Sequence, residues 1–369
     1  MTSEEIAAAR AIWHRYLDQL RDAGDQLFRP GTPSDEVTVA EGLRHLGRIT
    51  RLGLIAQMEY ADPDFPVLAQ YVDDVTKFGC DNPDTIYQRA VLNGNLRYRI
   101  VGRRNTVDYL SFITARPGEN GRQIQIAHLD TANLAVAPDG RFEIVLSPEP
   151  QPGNWLQITP DTRSVSVRQT FLDRSRETAA ELRIERLGER ATPPPLTMAA
   201  VSQGFDQAAG FTAYIASLFP DWTHGYLAHI NALPPADQEA CLRAGGDPNI
   251  YFYRSVWQLG PDEALVVHIP RIPECDTWNL QVDNFWQESM DRRHFRSAIN
   301  RHSAQANRDG SVTAVIAHRD PGHPNWLDTA GHTVGHFAMR WIRAAEHVDP
   351  VTRLCSLAEV RGLAKDIAS

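Results

Sequence analysis

Apolar positions along this chain switch from a helical period to an alternating one, and then do so again. Over roughly the first 75 residues they recur at helical spacing. Ile6, Trp13, Leu17 and Leu20 share a face, and Thr2 with Glu5 has the spacing of a capping box. A second helix is predicted from Thr38, with Glu41 in its first turn and Leu43, Leu46, Leu54 and Ile55 along it. Gly42, Gly47 and Gly53 cost that helix stability, so they predict close packing against a neighbour. Pro30, Gly31 and Pro33 separate the two helices.

From about residue 85 the period falls to two. Tyr98/Ile100, Phe142/Ile144/Leu146 and Val165/Val167 alternate with polar residues, which predicts short antiparallel strands. Pro193-Pro194-Pro195, within Arg190 to Leu196, reads as a linker. Residues 197–219 become helical again, with Pro220 as the expected end, and 235–245 predicts a short helix. Alternation returns from Tyr251 through Ala264/Val266, Trp278/Leu280/Val282 and Val312/Ala314/Ile316.

The second β region repeats the first. Asp139-Gly140, Gly153-Asn154-Trp155-Leu156 and Arg168 are echoed by Asp309-Gly310, Pro324-Asn325-Trp326-Leu327 and Arg340. Tyr87-Gln88-Arg89-Ala90-Val91 mirrors Phe252-Tyr253-Arg254-Ser255-Val256. A repeat this long predicts two modules. The fold class is α+β, mainly β, with two duplicated antiparallel β-sandwich modules, each preceded by a helical segment. The division is 1–78 helical, 79–190 first module, 191–249 linker and helical region, and 250–369 second module.

The 369 residues carry a net charge of −9, which argues against nucleic acid or an anionic membrane as partner. Cys80, Cys241, Cys275 and Cys355 are scattered without a CxxC pair, so neither a thiolate zinc site nor a disulfide framework is expected. The acidic Met-Thr-Ser-Glu-Glu start lacks an apolar leader, and no run approaches ~20 apolar residues, so the expected location is cytoplasmic. Phosphate-loop, dinucleotide and nucleophile-elbow motifs are missing, and no cofactor is demanded.

The densest polar cluster runs from Asp320 to Arg340. A strand over 333–342 would place His336, Ala338 and Arg340 on one face and Phe337, Met339 and Trp341 on the other. Where the second copy has histidines the first has Thr162 and Ser164. Three readings stand for Asp328, His332 and His336: metal ligands, acid–base groups, or hydrogen bonding in a buried loop. Aligned Arg168 and Arg340 should occupy the same spot in each module, in a carbonyl or salt-bridge network or as an anion clamp. The Asn-Trp-Leu triplets read as corners, with Asn at positive φ and Trp closing the core. Asn82, Asp84 and Tyr87 are placed to rim a pocket, with Gly246-Asp247-Pro248-Asn249 in the corresponding place of the second copy.

Asn82-Pro83-Asp84-Thr85-Ile86-Tyr87 resembles the opening motif of bacterial proteins carrying the domain-of-unknown-function families 1254 and 1214. Trp278-Asn279, Asp309-Gly310, Asp320-Pro321-Gly322, Asn325-Trp326-Leu327-Asp328-Thr329 and Gly331-His332 resemble the second of these, in a long two-module form. The resemblance covers roughly residues 78–350 and implies two β-sandwiches, the C-terminal one jelly-roll-like. Many such relatives are exported, whereas this chain shows no export signal. The resemblance supplies no catalytic role.

From the residues themselves, the expectation is a lyase or hydrolase acting on a small, partly aromatic or hydrophobic molecule in a pocket of the C-terminal module. His332, His336 and Asp328 would do the acid–base work. Arg340 or Arg254 would hold an anionic group, and Tyr253, Trp278, Trp286 and Trp326 would line the walls. The alternative is a non-catalytic protein binding a small ligand or carbohydrate. A third reading is a purely structural or assembly role through sheet edges, and a homo-oligomer stays open.

Overall fold

A computed structural model of the chain describes residues 1–189 and 192–360, the side chain of Asn120 apart; Arg190 and Ala191 of the expected linker lie outside the described residues. Helix α1 (Ser3–Asp25) begins with the expected capping box: Glu5 N donates to Thr2 Oγ1 and Thr2 N donates to Glu5 Oε2. Helix α2 (Glu36–Leu54) starts earlier than predicted. Asp35 is its N-cap and accepts from Thr38 N at 3.0 Å, which frees Glu41 for other contacts. Its buried face carries Thr38, Gly42, His45, Ile49 and Leu52, while Leu43 is exposed. Two of the three glycines do mark close approach. A Cβ at Gly42 would lie 2.6 Å from the Trp286 ring, and one at Gly53 would lie 2.9 Å from the Ala208 carbonyl; Gly47 faces open space.

The first module follows as β1 (Ala69–Val72), β2 (Thr85–Val91), β3 (Tyr98–Arg103), β4 (Tyr109–Pro117), β5 (Gln123–Asp130), β6 (Arg141–Ser147), β7 (Asn154–Gln157), β8 (Ser164–Thr170) and β9 (Glu181–Arg186). One sheet has the order β1-β2-β8-β4-β5 and the other β7-β6-β3-β9. The first strand falls within the stretch read as helical. Helix α3 (Met198–Tyr226) and the short α4 (Gln238–Arg243) link the modules. Pro220 does not end α3. The helix runs through it, with the Thr223 hydroxyl donating back to the Phe219 carbonyl and His224 Nδ1 lying 2.7 Å from the Pro220 carbonyl.

The second module comprises β10 (Ile250–Gln258), β11 (Glu263–Ile269), β12 (Thr277–Val282), β13 (Ala298–Asn300), β14 (Val312–Ala317), β15 (Trp326–Asp328), β16 (Val334–Ile342) and β17 (Val351–Ser356). Its sheets are β10-β16-β12-β13 and β15-β14-β11-β17. Each module buries its own core between its two sheets. Val165, Val167 and Phe112 lie in the first core, and Phe337, Met339, Trp341 and Trp278 lie in the second. Among the described residues no helix is long and apolar enough to cross a membrane.

The registers make the repeat explicit. Tyr87 pairs with Arg168 and Phe252 pairs with Arg340, so the two arginines occupy the same lattice point. The Asn-Trp-Leu triplets are equivalent too, for a reason other than the expected one. Neither Asn has positive φ; Gly153 takes it in the first copy, at φ 79°. Instead, Asn154 Nδ2 donates to the carbonyls of Ala135 and Glu143, and Asn325 Nδ2 to those of Gln305 and Thr313. Each Asn Oδ1 accepts from the backbone of the same loop, and each following Trp donates its Nε1 to the end of the neighbouring strand, at Ser147 or Ala317. The amide side chain substitutes for missing backbone pairing.

Candidate functional site

The modules meet through the loops that precede β2 and β10. In each loop a residue before proline accepts from the backbone two positions on: Asp84 N donates to Asn82 Oδ1 and Asn249 N to Asp247 Oδ1, both at 2.9 Å. Each loop is then held by the other module. Arg340 Nη2 donates to the Cys80 carbonyl, and Arg168 Nη2 donates to the Gly245 carbonyl. Given the register, Cys80 and Gly245 are equivalent positions, so the clasp is reciprocal. Of the two sequence readings for these arginines, it is the carbonyl network that the structure contains.

On the Arg340 side the guanidinium also reaches side chains. Arg340 Nη1 donates to Gln281 Oε1 at 2.6 Å and Asn279 Oδ1 at 3.3 Å, and Nη2 lies 3.0 Å from Cys80 Sγ. Gln281 Nε2 donates to the Asp81 carbonyl and to Asp283 Oδ1. His336 Nδ1 lies 2.9 Å from Asp283 Oδ2, and both side chains are fully buried. Burial drives the His336 imidazole down to about 4, against the pull of Asp283. Burial also opposes ionisation of Asp283, but His336 outweighs it and holds the carboxyl below its ordinary value. The Cys80 thiol is pushed up to about 12 by burial. Cys80 itself sits at φ 60°, after Gly79 at φ 71°, and its N–H donates to the Gln287 carbonyl. A side chain at Gly79 would meet the Phe219 ring at 2.6 Å, so this bend needs glycine on both counts. Arg254 donates to Gln287 Oε1 and stacks over Trp222 and Phe252.

A polar stripe of α2 caps this layer. Glu41, His45 and Arg48 recur at helical spacing and meet the 284–288 turn. His45 Nδ1 lies 2.9 Å from Glu288 Oε1, and Arg48 donates to Glu288 Oε2 at 2.6 Å. Glu41 Oε2 accepts from Asn284 and lies 2.7 Å from His332 Nε2. Burial opposes protonation of His332, but Glu41 outweighs it and raises the imidazole above its usual value. Glu41 is correspondingly lowered, burial notwithstanding.

Solvent reaches the other side of the same loop. One hollow of about 300 Å³ is lined by Lys77, Asp81, Asn82, Thr85, Arg174 and Arg292 among others. A second, of about 360 Å³, is lined by Asp84, Arg292, Arg293, His294, Phe295 and Arg296 among others. Pro83 is a wall of both. Asp81 accepts from Ser289 N and Oγ, and Lys77 Nζ donates to the Ser289 and Met290 carbonyls. Burial raises the carboxyls of Asp81 and Asp84 to about 6 each. Asn82 and Asp84 thus rim hollows as expected, whereas the Tyr87 hydroxyl turns inward to accept from Asn82 N.

The sequence model described as protein of unknown function (DUF1214) matches residues 88–171 and 258–346, once in each module. The crystal structure of an uncharacterized protein from Burkholderia cenocepacia shares 47% identity over 94% of this chain and 97% of that one, with a TM-score of 0.92. This chain belongs to the DUF1214 family. A protein from Vibrio parahaemolyticus aligns over 92% of this chain and all of its own length, at 11% identity and a TM-score of 0.49. No curated protein matches.

In this DUF1214 protein the residues singled out from sequence do not share one pocket. His336, Arg340 and Arg254 come together in the buried layer, as described. His332 is separate, bound to Glu41 and the Thr329 carbonyl. Asp328 lies in the other sheet and accepts from Ala330 N, closing a turn. The expected aromatic wall is not a wall. Trp278 and Tyr253 are packed in the core between the sheets, and the Tyr253 hydroxyl donates to Asp349. Trp286 packs under α2 and donates to the Thr38 carbonyl, and Trp326 braces β14 at the sheet edge. Strands β10 and β16 are buried on both faces, so alternation alone could not assign the aromatic side to the core. In the sequence Cys80 stands only as one of four scattered cysteines, and Asp283 joins no motif. Their signal lay in comparing the copies, where the equivalents are Gly245 and Ala115, with Ser164 for His336.

Proposed function

We propose that the protein is a small-molecule enzyme of the acid–base kind, a hydrolase or lyase, working at the two hollows beside Pro83. The observation that carries this is Asp84, a carboxyl raised to about 6 that lines a solvent-reaching hollow. A group near 6 exchanges its proton close to neutral pH, as general acid–base catalysis requires. Asn300 Nδ2 donates to it at 3.0 Å and fixes its direction. Arg296 shares its hollow, and Arg174, whose Nε is buried without a hydrogen-bond partner, lines the neighbouring one. These cations favour a polar, acid-bearing substrate over the aromatic one expected from sequence, because the tryptophans are occupied elsewhere. A link to family 1254 rests on the Asn82–Tyr87 motif alone.

The test is incubation with a panel of small carboxylic acids and their esters, with products read by mass spectrometry. Turnover should show an inflection near pH 6, and Asp84→Asn should lower it by ~100-fold or more while leaving substrate-induced thermal stabilisation in place. Undiminished turnover in the variant would end this reading. The saturated hydrogen bonding of Asp81 favours the alternative, a non-catalytic binding protein, which predicts stabilisation by a panel member with no product.

A further inference from the structure

We propose that Cys80, Asp283 and His336 form a divalent-metal site of the zinc class. The sulfur, a carboxylate oxygen and a ring nitrogen all lie within 4.8 Å of one another, and the three side chains are buried. A tetrahedral metal with a sulfur bond of ~2.3 Å and nitrogen or oxygen bonds of ~2.0 Å sets its ligand atoms roughly 3.3–3.5 Å apart, so a shift of about 1 Å closes the site.

Two further observations point to an occupant. His336 Nδ1 lies beside the carboxylate and Nε2 has no hydrogen-bond partner, so no second protein group fixes the tautomer of this fully buried imidazole and Nδ1 is free to ligate. The trio is also confined to one copy: the equivalent positions hold Gly245, Ala115 and Ser164, which together offer no thiolate, carboxylate or imidazole. The supporting shell is built. The Cys80 N–H is tied to the Gln287 carbonyl, and Gln281 Nε2 donates to Asp283.

The donor set selects the metal. A thiolate disfavours magnesium and calcium, and sulfur, nitrogen and oxygen together suit zinc. Three protein ligands leave the fourth tetrahedral position for water or an anion. The guanidinium charges decide between them. Arg340 lies 3.0 Å from the sulfur, and Arg254 packs in the same layer. Their two charges are offset by the thiolate and Asp283, so the metal's own charge is what remains, and it favours an anion such as hydroxide or a small carboxylate.

Equilibrium dialysis of the full chain against Zn²⁺, read by elemental analysis, should give one zinc per chain. Co²⁺ in its place should give a thiolate-to-cobalt charge-transfer band in the near ultraviolet. Cys80→Ser should abolish that band, and His336→Ala should weaken zinc binding by more than ~100-fold, beyond the loss typical of a supporting residue. The absence of the band in the wild-type cobalt adduct overturns the proposal without any variant. Equal zinc uptake by the wild type and both variants overturns it as well. Because the readout is metal binding, this result is independent of whether Asp84 supports turnover.

Discussion

On one side of the module junction Arg168 reaches the Gly245 carbonyl, with Ser111 and Ser164 beside it. On the other, Arg340 reaches the Cys80 carbonyl, with Asn279 and His336 at the matching points. The clasp is common to both copies and is therefore architectural. What differs is what surrounds it. At these matched points the first face keeps small hydroxyls, with Asp247, Tyr109 and His128 gathered against its loop, whereas the second has an amide and an imidazole there and a thiol on the loop it grips. Repetition thus marks the scaffold, and departure from repetition marks where chemistry was added.

Substitution can break that comparison. Arg340→Ala should be the most damaging change, because it strips donors from Gln281, Asn279 and the Cys80 carbonyl inside a buried layer; a loss of about 4 kcal/mol is expected. Arg168→Ala removes the bond to Gly245, and about 2 kcal/mol is expected. Equal losses in chemical denaturation would mean that the added polar groups are idle in stability. The Asn pair comes next. Asn325 is fully buried and Asn154 is not, so Asn325→Ala should cost about 3 kcal/mol and Asn154→Ala about 1 kcal/mol, although their hydrogen bonds match. The same denaturation curves check this, and a reversed order would sink the burial argument.

The smallest effect tests the ion pair that ties α2 to the second module. The raised His332 contributes stability that is full below its unfolded value of ~6.5 and fades as pH climbs through the folded value. The lowered Glu41 contributes above ~4.3, and this is lost as pH drops through its folded value. The pair is therefore strongest between about pH 4.3 and 6.5. Glu41→Gln should cost up to about 1 kcal/mol more at pH 6 than at pH 8, measured as the difference from wild type at each pH. A penalty that does not change with pH would show that the contact is not an ion pair.

How much of this was legible beforehand depended on distance along the chain. The alternation of Val165/Val167 and of Trp278/Leu280/Val282 exposed the strands, and the paired Asn-Trp-Leu triplets exposed the repeat, since both are local patterns. The role of Asn154 was not readable, because its partners Ala135 and Glu143 become neighbours only when β6 and β7 lie side by side. Pro220 misled because a helix end is a backbone preference, and side-chain bonds from Thr223 and His224 support the helix beyond it. Cys80 and Asp283 offered no motif at all. They meet only because one module's leading loop is laid on the other's sheet. Asp84 and Asn82 were visible as pocket residues because a short proline turn constrains its own geometry.

The crossed grip of Arg168 and Arg340 also bears on ancestry. Each module presents a loop and a receptor for that loop, and here the two are exchanged within one chain. A single-module forerunner could have made both grips only by pairing with a second copy of itself. Joining the two genes would then have freed the halves to diverge, with one half able to take on a buried thiol and histidine while the other kept the original fit.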